Sequence, residues 1–311
     1  MTREILLLFA GLFLLFLSGK YLVDSSIAIA RLFRIPTMII GLTVVAFGTS
    51  APELLVSLQA AIRGFPEIAI GNVVGSNISN VLLVLAITAI IFPIPVPEKS
   101  VRRDWPVMML VSVLLFVLVL DGQLSRLEGG LFILLLVVYI IFSVIQTKQT
   151  GLQEKSPVEA PSMRWWIAAG IFLVSCGGLA FGADLLVRST ASIAGELGIS
   201  QRVISITMVA VGTSIPELVT SVMAALKKET EISLGNIIGS NIMNILTVLG
   251  TTSLIQPIRV ERQIARFDIP CMLATGLLLL LLILPAARSR ITRWEGIFMV
   301  FGYLLYIYLI F

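Results

Sequence analysis

The chain has 311 residues, of which 58% are hydrophobic and 13% are charged, and its mean hydropathy of +1.03 excludes a soluble globular protein. The net charge of +4 comes from Lys and Arg residues scattered over short loops, so it indicates membrane topology and no nucleic-acid partner. Because the sequence contains no histidine, it lacks the usual zinc and copper ligand and the usual general base, and we do not expect an enzyme or a bound cofactor.

Ten hydrophobic stretches predict ten helices that cross the lipid bilayer, for which about 20 apolar residues are needed. The first stretch has no small-residue cleavage site and is predicted to be a span, not a signal peptide. The ten predicted spans are residues 4–33, 36–62, 67–93, 104–120, 127–146, 164–196, 200–226, 231–255, 266–285 and 292–310.

An internal repeat relates the two halves of the chain. Residues 48–82 align without a gap with residues 212–246, and 19 of the 35 positions are identical. The sequence therefore divides into a first five-helix repeat, a polar linker and a second five-helix repeat, at residues 1–146, 147–163 and 164–311, with ion-binding motifs at 48–80 and 212–244.

The odd number of spans in each repeat predicts that the second copy enters the membrane from the opposite side. The predicted fold class is thus an all-α polytopic membrane protein with ten transmembrane helices in two inverted five-helix repeats, an architecture used by secondary transporters. The loops after the odd-numbered spans carry 13 Lys and Arg residues and the other side carries seven. This bias predicts a cytoplasmic linker and two extracytoplasmic termini in the cell (inner) membrane.

The second and seventh spans each carry a proline and a glutamate in the middle of an apolar helix, at Pro52–Glu53 and Pro216–Glu217. An ionised glutamate at the bilayer centre costs at least about 2.5 kcal/mol without a partner or water, so we interpret this pair as functional. Each proline removes one backbone N–H, which predicts a bent helix with free carbonyl oxygens.

Polar side chains surround both glutamates. Thr49 and Ser50 lie on the helical face of Glu53, and Thr213 and Ser214 lie on that of Glu217. The third and eighth spans add stripes at a spacing of four, which consist of Asn72, Ser76 and Asn80 and of Asn236, Ser240 and Asn244. The glycines of the same two spans have a spacing that lets helices approach closely.

Carboxylate, hydroxyl, amide and carbonyl oxygens without nitrogen or sulfur ligands suit a hard cation such as Ca²⁺ or Na⁺. One Ca²⁺ neutralises two glutamates, and Na⁺ can occupy the same oxygens, so the two cations would compete for one site. Competition at a site that is open alternately to each side of the membrane suffices for exchange. Polar stripes can also serve only to hold helices together, and this alternative is open for the Ser and Asn residues.

Other charged residues have simpler interpretations. Glu67 and Glu231 lie at the first turn of their spans, where an acidic side chain stabilises the helix dipole. Lys20 with Asp24 and Asp184 with Arg188 have the i,i+4 spacing of neutralising ion pairs within one helix.

The paired motifs GTSAPE with GNVVGSNISN and GTSIPE with GNIIGSNIMN resemble the two alpha repeats of the sodium/calcium exchangers, within the cation/calcium exchanger superfamily. The resemblance is closest to the compact prokaryotic members, which have ten spans. It implies a midplane site in which Glu53 and Glu217, with the carbonyl oxygens of Thr49 and Thr213, hold calcium. It also implies spans 1 and 6 that slide across the remaining helices.

The resemblance implies two sodium sites of inverted orientation that share oxygens with the calcium site, and a centre lined by Asn80 and Asn244. The residues implied for the two sodium sites are Ala46, Thr49, Ser50, Glu53 and Ser76 for one, and Ala210, Thr213, Ser214, Glu217 and Ser240 for the other.

The expected function is a secondary antiporter that exchanges Na⁺ for Ca²⁺, with a monomer as the functional unit, and the resemblance implies a stoichiometry of about three to one. In potassium-dependent members the position of Asn244 is an aspartate, so the asparagine here argues against potassium transport. A proton/calcium antiporter is an open alternative, because two buried glutamates can also release Ca²⁺ in exchange for protons. A cation channel is the alternative from another class, and saturable flux that requires a counter-ion would exclude it.

Overall fold

The computed structural model describes residues 2–33, 35–98, 100–149, 163–197, 212–283 and 290–310, and these residues are mostly helical. Eleven helices are present in this part of the chain. They are α1 (Thr2–Phe33), α2 (Thr37–Thr49), α3 (Ala51–Ile62), α4 (Glu67–Ile91), α5 (Ser100–Asp121), α6 (Arg126–Gln149), α7 (Trp165–Glu196), α8 (Ile215–Leu226), α9 (Thr230–Ile255), α10 (Ile264–Ile283) and α11 (Arg293–Ile310).

Eight of these helices are long and apolar enough to cross a membrane, and α2 with α3 would form a ninth, bent span. Each lies on one predicted span, and no described boundary differs from the prediction by more than four residues. Only Ile215–Leu226 of the predicted span 200–226 forms a described helix, so the count of ten helices is still a prediction. The linker 147–163 lies largely outside the described residues, and α6 continues into it as far as Gln149.

Two short antiparallel strand pairs connect loops of the two halves. Strand β1 (Ile94–Pro95), after α4, pairs with β4 (Arg290–Ile291), before α11. Strand β2 (Gln123–Leu124), between α5 and α6, pairs with β3 (Ile258–Arg259), after α9. Sequence analysis did not predict these strands, since two residues are too few for a periodic pattern.

The centre of the molecule is built on α4 and α9, which contact each other and most of the other helices. The most apolar stretch of α9 is completely buried. Close packing of α9 on α2 depends on glycine: a methyl group at Gly239 would lie 2.4 Å from the Leu42 carbonyl oxygen, and one at Gly235 would lie 2.7 Å from that of Met38. The predicted role of these two glycines is confirmed.

Helices α1 and α7 form a pair of their own, in extensive contact with each other along their length. Gly11 and Gly182 allow the two backbones to approach, because a methyl group at either position would lie only 3.0 Å from an atom of the other helix. The outer faces of both helices carry exposed apolar residues such as Phe13 and Val174, as expected next to lipid.

Only one of the two predicted ion pairs within these helices forms. Arg188 donates to Asp184 at 2.7 Å, as predicted. The prediction for Lys20 and Asp24 was wrong: Asp24 forms an ion pair with Lys227, which follows α8, and Lys20 lies over the ring of Tyr21. The reason is tertiary, because α8 packs against α1 and its C-terminal end brings Lys227 next to Asp24.

Candidate cation site

A break in a helix precedes one glutamate, and the same backbone conformation precedes the other. Helix α2 ends at Thr49 and α3 begins at Ala51 with a bend of 41°, and Ser50 between them has non-helical backbone angles (φ −81°, ψ 3°). Ser214 has nearly the same angles (φ −86°, ψ 1°) before α8. The predicted bend is confirmed in α2–α3. Pro52 lies in the first turn of α3, where a backbone N–H has no partner within the helix, so the proline costs α3 no hydrogen bond.

The two glutamates follow Ser50 and Ser214, in the first turn of α3 and of α8, and both are 0% exposed. Both carboxylate oxygens of Glu53 and the Oε2 of Glu217 are buried and accept no hydrogen bond from the described residues. Glu217 Oε1 accepts one from Ser50 Oγ at 3.2 Å. Such burial is costly for two ionised carboxylates unless a cation compensates their charge.

Hydroxyl groups of the two halves meet across the site. Thr49 Oγ1 lies 3.3 Å from Ser240 Oγ, and Thr213 Oγ1 lies 3.2 Å from Ser76 Oγ. Each of these contacts, like that of Ser50 with Glu217, joins a residue just before α3 or α8 to a side chain of the other repeat. The helices that carry the predicted oxygens therefore converge on one place.

Asn72 and Asn236 connect the stripes to the segments around the two glutamates. Asn236 Oδ1 accepts from Thr49 Oγ1 at 3.0 Å, and its Nδ2 donates to the Glu217 carbonyl oxygen at 3.4 Å. Asn72 makes the equivalent contacts with Thr213 and with the Glu53 carbonyl oxygen. Both amides also donate to a serine on the helix of the glutamate, Ser57 or Ser221, which sequence analysis did not single out.

Asn80 and Asn244 lie deeper between α4 and α9 and are both 0% exposed. Each side-chain carbonyl oxygen is buried without a hydrogen bond from the described residues, as is Ser214 Oγ. Ala46 is buried on α2, and its carbonyl oxygen accepts from the Ser50 N–H at 3.0 Å and from Thr49 Oγ1 at 3.3 Å. Ala210, its predicted counterpart, lies outside the described residues.

Sequence analysis missed Asn77 and Asn241, which hydrogen-bond to Asn244 and Asn80 respectively. They lie off the stripes with a spacing of four on which the prediction depended. The available signal was their identity in both repeats, within the matching segments GSNISN and GSNIMN.

The arrangement is thus a set of buried oxygens, most of which accept no hydrogen bond from the described residues, and it includes two carboxylates in the first turns of α3 and α8. Oxygens of these kinds are the ligands that Ca²⁺ and Na⁺ prefer, so the residues fit a hard cation.

Known proteins resemble the chain over its whole length. The family profile described as "Sodium/calcium exchanger protein" matches residues 3–145 and 167–311. The chain belongs to the sodium/calcium exchanger family. It is a membrane transporter of the cation/calcium exchange type and not an enzyme, and the resemblance to a compact prokaryotic-type member is confirmed.

Two relatives and one solved structure illustrate the match. The sodium/calcium exchanger MaX1 of Methanosarcina acetivorans is 35% identical over 348 aligned residues that cover 100% of this chain and 99% of the relative. The inner membrane protein YrbG of Escherichia coli is 34% identical, with 89% and 87% covered. A structure of the sodium-calcium exchanger NCX_Mj superimposes with a TM-score of 0.83 at 34% identity and covers 98% of this chain and 97% of that one.

Proposed function

We propose that this exchanger is a secondary antiporter that exchanges Na⁺ for Ca²⁺ by alternating access to the buried site. The observation that carries the proposal is the pair of fully buried glutamates whose oxygens, apart from Glu217 Oε1, accept no hydrogen bond from the described residues. One Ca²⁺ compensates both charges, and Na⁺ ions can do so one carboxylate at a time. The names of MaX1 and NCX_Mj, which describe both as sodium/calcium exchangers, support the choice of ions.

In this proposal Glu53 and Glu217 hold Ca²⁺ together with the carbonyl oxygens of Thr49 and Thr213. Na⁺ uses overlapping oxygens in two groups, and Asn80 and Asn244 line the centre. The groups are Ala46, Thr49, Ser50, Glu53 and Ser76, and Ala210, Thr213, Ser214, Glu217 and Ser240. Because Na⁺ and Ca²⁺ share ligands, binding of one displaces the other, which couples their movements.

The proposed architecture is ten helices in two inverted repeats. The hydrogen bonds support it, because each of several contacts between the halves has an equivalent made by the corresponding residues of the opposite repeats, which are 164 positions apart. Thr49 with Asn236 corresponds to Thr213 with Asn72, and Asn80 with Asn241 to Asn244 with Asn77. The excess of Lys and Arg supports a cytoplasmic linker and extracytoplasmic termini in the cell membrane, and we propose that a monomer suffices for transport.

We propose a stoichiometry of about three Na⁺ to one Ca²⁺, which moves one net charge in each cycle. At 100 mV this charge couples about 2.3 kcal/mol of electrical energy to calcium transport.

The test is ⁴⁵Ca²⁺ uptake into liposomes that contain the purified protein, are loaded with Na⁺ and are diluted into Na⁺-free buffer. We expect saturable uptake that an inside-positive potential increases and that Glu53→Gln abolishes. Glu67→Gln is the matched control, because Glu67 lies in the first turn of α4 and outside the buried oxygen set. Uptake without a counter-ion would instead indicate a channel.

The second candidate is a proton/calcium antiporter, which the same two glutamates favour because a proton can bind, in place of a cation, to buried carboxylate oxygens that accept no hydrogen bond from the described residues. A parallel set of liposomes with a pH gradient and no Na⁺ distinguishes the two. Uptake driven only by the pH gradient would exclude sodium coupling and keep both glutamates as the exchange site.

A further inference from the structure

Asn77 and Asn241 lie at the centre of the molecule, where α4 and α9 cross. Their side chains are 1% and 4% exposed, and neither belongs to the ligand set proposed above. A buried amide requires hydrogen bonds for both its N–H₂ and its carbonyl oxygen, so the partners of these two residues indicate their role.

Each of the two amides accepts a hydrogen bond from a central asparagine of the opposite helix. Asn244 Nδ2 donates to Asn77 Oδ1 at 3.1 Å, and Asn80 Nδ2 donates to Asn241 Oδ1 at 3.1 Å. The pairing is therefore crossed: the residue on α4 orients an amide on α9, and the residue on α9 orients an amide on α4.

The donor sides of Asn77 and Asn241 are fixed independently. Asn77 Nδ2 donates to the backbone carbonyl oxygen of Asn241 at 3.2 Å, and Asn241 Nδ2 donates to the backbone carbonyl oxygen of Asn77 at 3.4 Å. Both also contact a methionine sulfur, of Met272 at 3.7 Å and of Met108 at 3.6 Å. Since the N–H₂ groups are engaged in this way, each Oδ1 faces the amide that it accepts from.

The orientation matters because an asparagine amide has two chemically opposite ends. With Nδ2 bound to Asn77 or Asn241, the Oδ1 atoms of Asn244 and Asn80 point away from these partners, and both are buried without a hydrogen bond from the described residues. If the side-chain amide of Asn244 or Asn80 rotated by 180°, its N–H₂ group would face the cation, and a hydrogen-bond donor repels a positive charge.

We propose that Asn77 and Asn241 are positioning residues that hold the carbonyl oxygens of Asn244 and Asn80 toward the transported cation. The inference rests on the proposed cation site, and it adds two residues that need not touch the ion. Their effect on binding passes through the amide at the other end of the hydrogen bond.

Crossed double-mutant cycles test the proposal in the liposome assay. Asn77→Leu removes the acceptor at nearly constant volume, and we expect the KM for Ca²⁺ to rise about tenfold, equivalent to about 1.4 kcal/mol, with little change in the maximal rate. In an Asn244→Asp background the same change should have an effect below about twofold, since a carboxylate presents an oxygen in either orientation.

The crossed pairing makes the test specific. In an Asn80→Asp background, Asn77→Leu should keep its full effect, because Asn80 is bound by Asn241. Asn241→Leu should behave in the opposite way, with its effect lost in Asn80→Asp and kept in Asn244→Asp. A general packing defect would not distinguish the two backgrounds.

Thr88→Val is the matched control, since Thr88 is a buried polar residue of α4 that donates only to the Val84 carbonyl oxygen, at 2.7 Å. Asn77→Ala replaces Asn77→Leu if the leucine variant does not elute as a folded protein. An unchanged KM in the Asn77 and Asn241 variants, or equal effects of either change in both aspartate backgrounds, would overturn the proposal. Absence of Ca²⁺ uptake by the unmodified protein would instead contradict the proposed function.

Discussion

The two glutamates have unequal surroundings although their sequence motifs are nearly identical. Ser50 Oγ donates to Glu217 Oε1, whereas Ser214 Oγ is buried without a partner among the described residues and Glu53 accepts no such bond. A hydrogen bond to a charged group contributes about 1.5–3 kcal/mol, so the two serines are not equivalent in this conformation. The hydrogen bond from Ser50 fixes the orientation of the Glu217 carboxylate, and the Glu53 carboxylate has no equivalent bond from Ser214.

We expect Ser50→Ala to weaken Na⁺ binding more than Ser214→Ala does. Each change removes one hydroxyl oxygen from the proposed site. The Ser50 hydroxyl also donates a hydrogen bond to Glu217, whereas the Ser214 hydroxyl has no partner among the described residues. Loss of the bond to the carboxylate should raise the KM for Na⁺ about tenfold or more. Na⁺-dependent Ca²⁺ release from liposomes measures both variants, and equal shifts in the two would contradict this role of Ser50.

Much of the candidate site could be predicted at the residue level because polar side chains in an apolar helix are conspicuous. Glu53 and Glu217 stand out by charge, and Ser76 and Asn80 by successive spacings of four that start at Asn72. Asn77 could not be assigned a role in this way, since its function depends on the place where α4 crosses α9. The partner of Asp24 was mispredicted for the same reason, because a contact between distant helices leaves no mark in local spacing.

At the level of helices, the crossing of α9 over α2 depends on the absence of a side chain at Gly239. We expect Gly239→Ala to destabilise the protein by about 1–3 kcal/mol, as overpacking does, because the added methyl group would meet the Leu42 carbonyl oxygen and Ala46. A thermal unfolding curve in detergent measures the loss.

Gly177→Ala is the control for this change. Gly177 is an exposed helical position of α7, and a methyl group there would meet no described atom within 4 Å. Alanine is also favoured over glycine inside a helix, so the control should be neutral or slightly stabilising. Equal destabilisation by both variants would show that close approach at Gly239 is unimportant.

The ion pair between Asp24 and Lys227 links α1 to the end of α8, whereas that between Asp184 and Arg188 lies within α7. The Asp24 and Lys227 side chains are 46% and 24% exposed, so the pair contributes no more than about 1 kcal/mol. We expect Lys227→Gln to lower thermal stability by up to this amount and Arg188→Gln to lower it less.

Reversal of both charges, in the double variant Asp24→Lys with Lys227→Asp, should restore most of the stability that Lys227→Gln loses. If the reversed pair is no more stable than either single reversal, the contact does not link the two helices energetically.

Helix positions could be predicted more completely than the details within the helices. Hydrophobic length alone located α1, α4, α7 and α9 within a few residues. It did not indicate the π-helical turns at Asn80–Leu85 and Asn244–Leu249, which begin at the two central asparagines. Such turns depend on local hydrogen bonding and packing, to which hydropathy is insensitive.

Neither half of the molecule contains all the contacts of the candidate site. Strand β1 follows α4 and pairs with β4 of the second half, and the hydroxyl and amide contacts of the site also run between the halves. We expect residues 1–155 and 156–311, expressed as two chains, to copurify and to restore Na⁺-dependent Ca²⁺ uptake.

Each chain expressed alone is the control, and neither should transport Ca²⁺. Transport by a single half would contradict the dependence of the site on both repeats. Failure of the two halves to copurify would show that the connection between them is needed for assembly.

The crossed contacts also constrain the order of events during synthesis. Once α1 to α6 are in the membrane, Glu53, Asn77 and Asn80 are there too. The partners of the two asparagines, Asn241 and Asn244, belong to α9, and Asn241 is translated 161 residues after Asn80. Until then the nascent chain holds a carboxylate and several amides in lipid without their final partners. The hydrogen bonds that orient the central amides can therefore form only after α9 has been synthesised, so this part of the site is completed late.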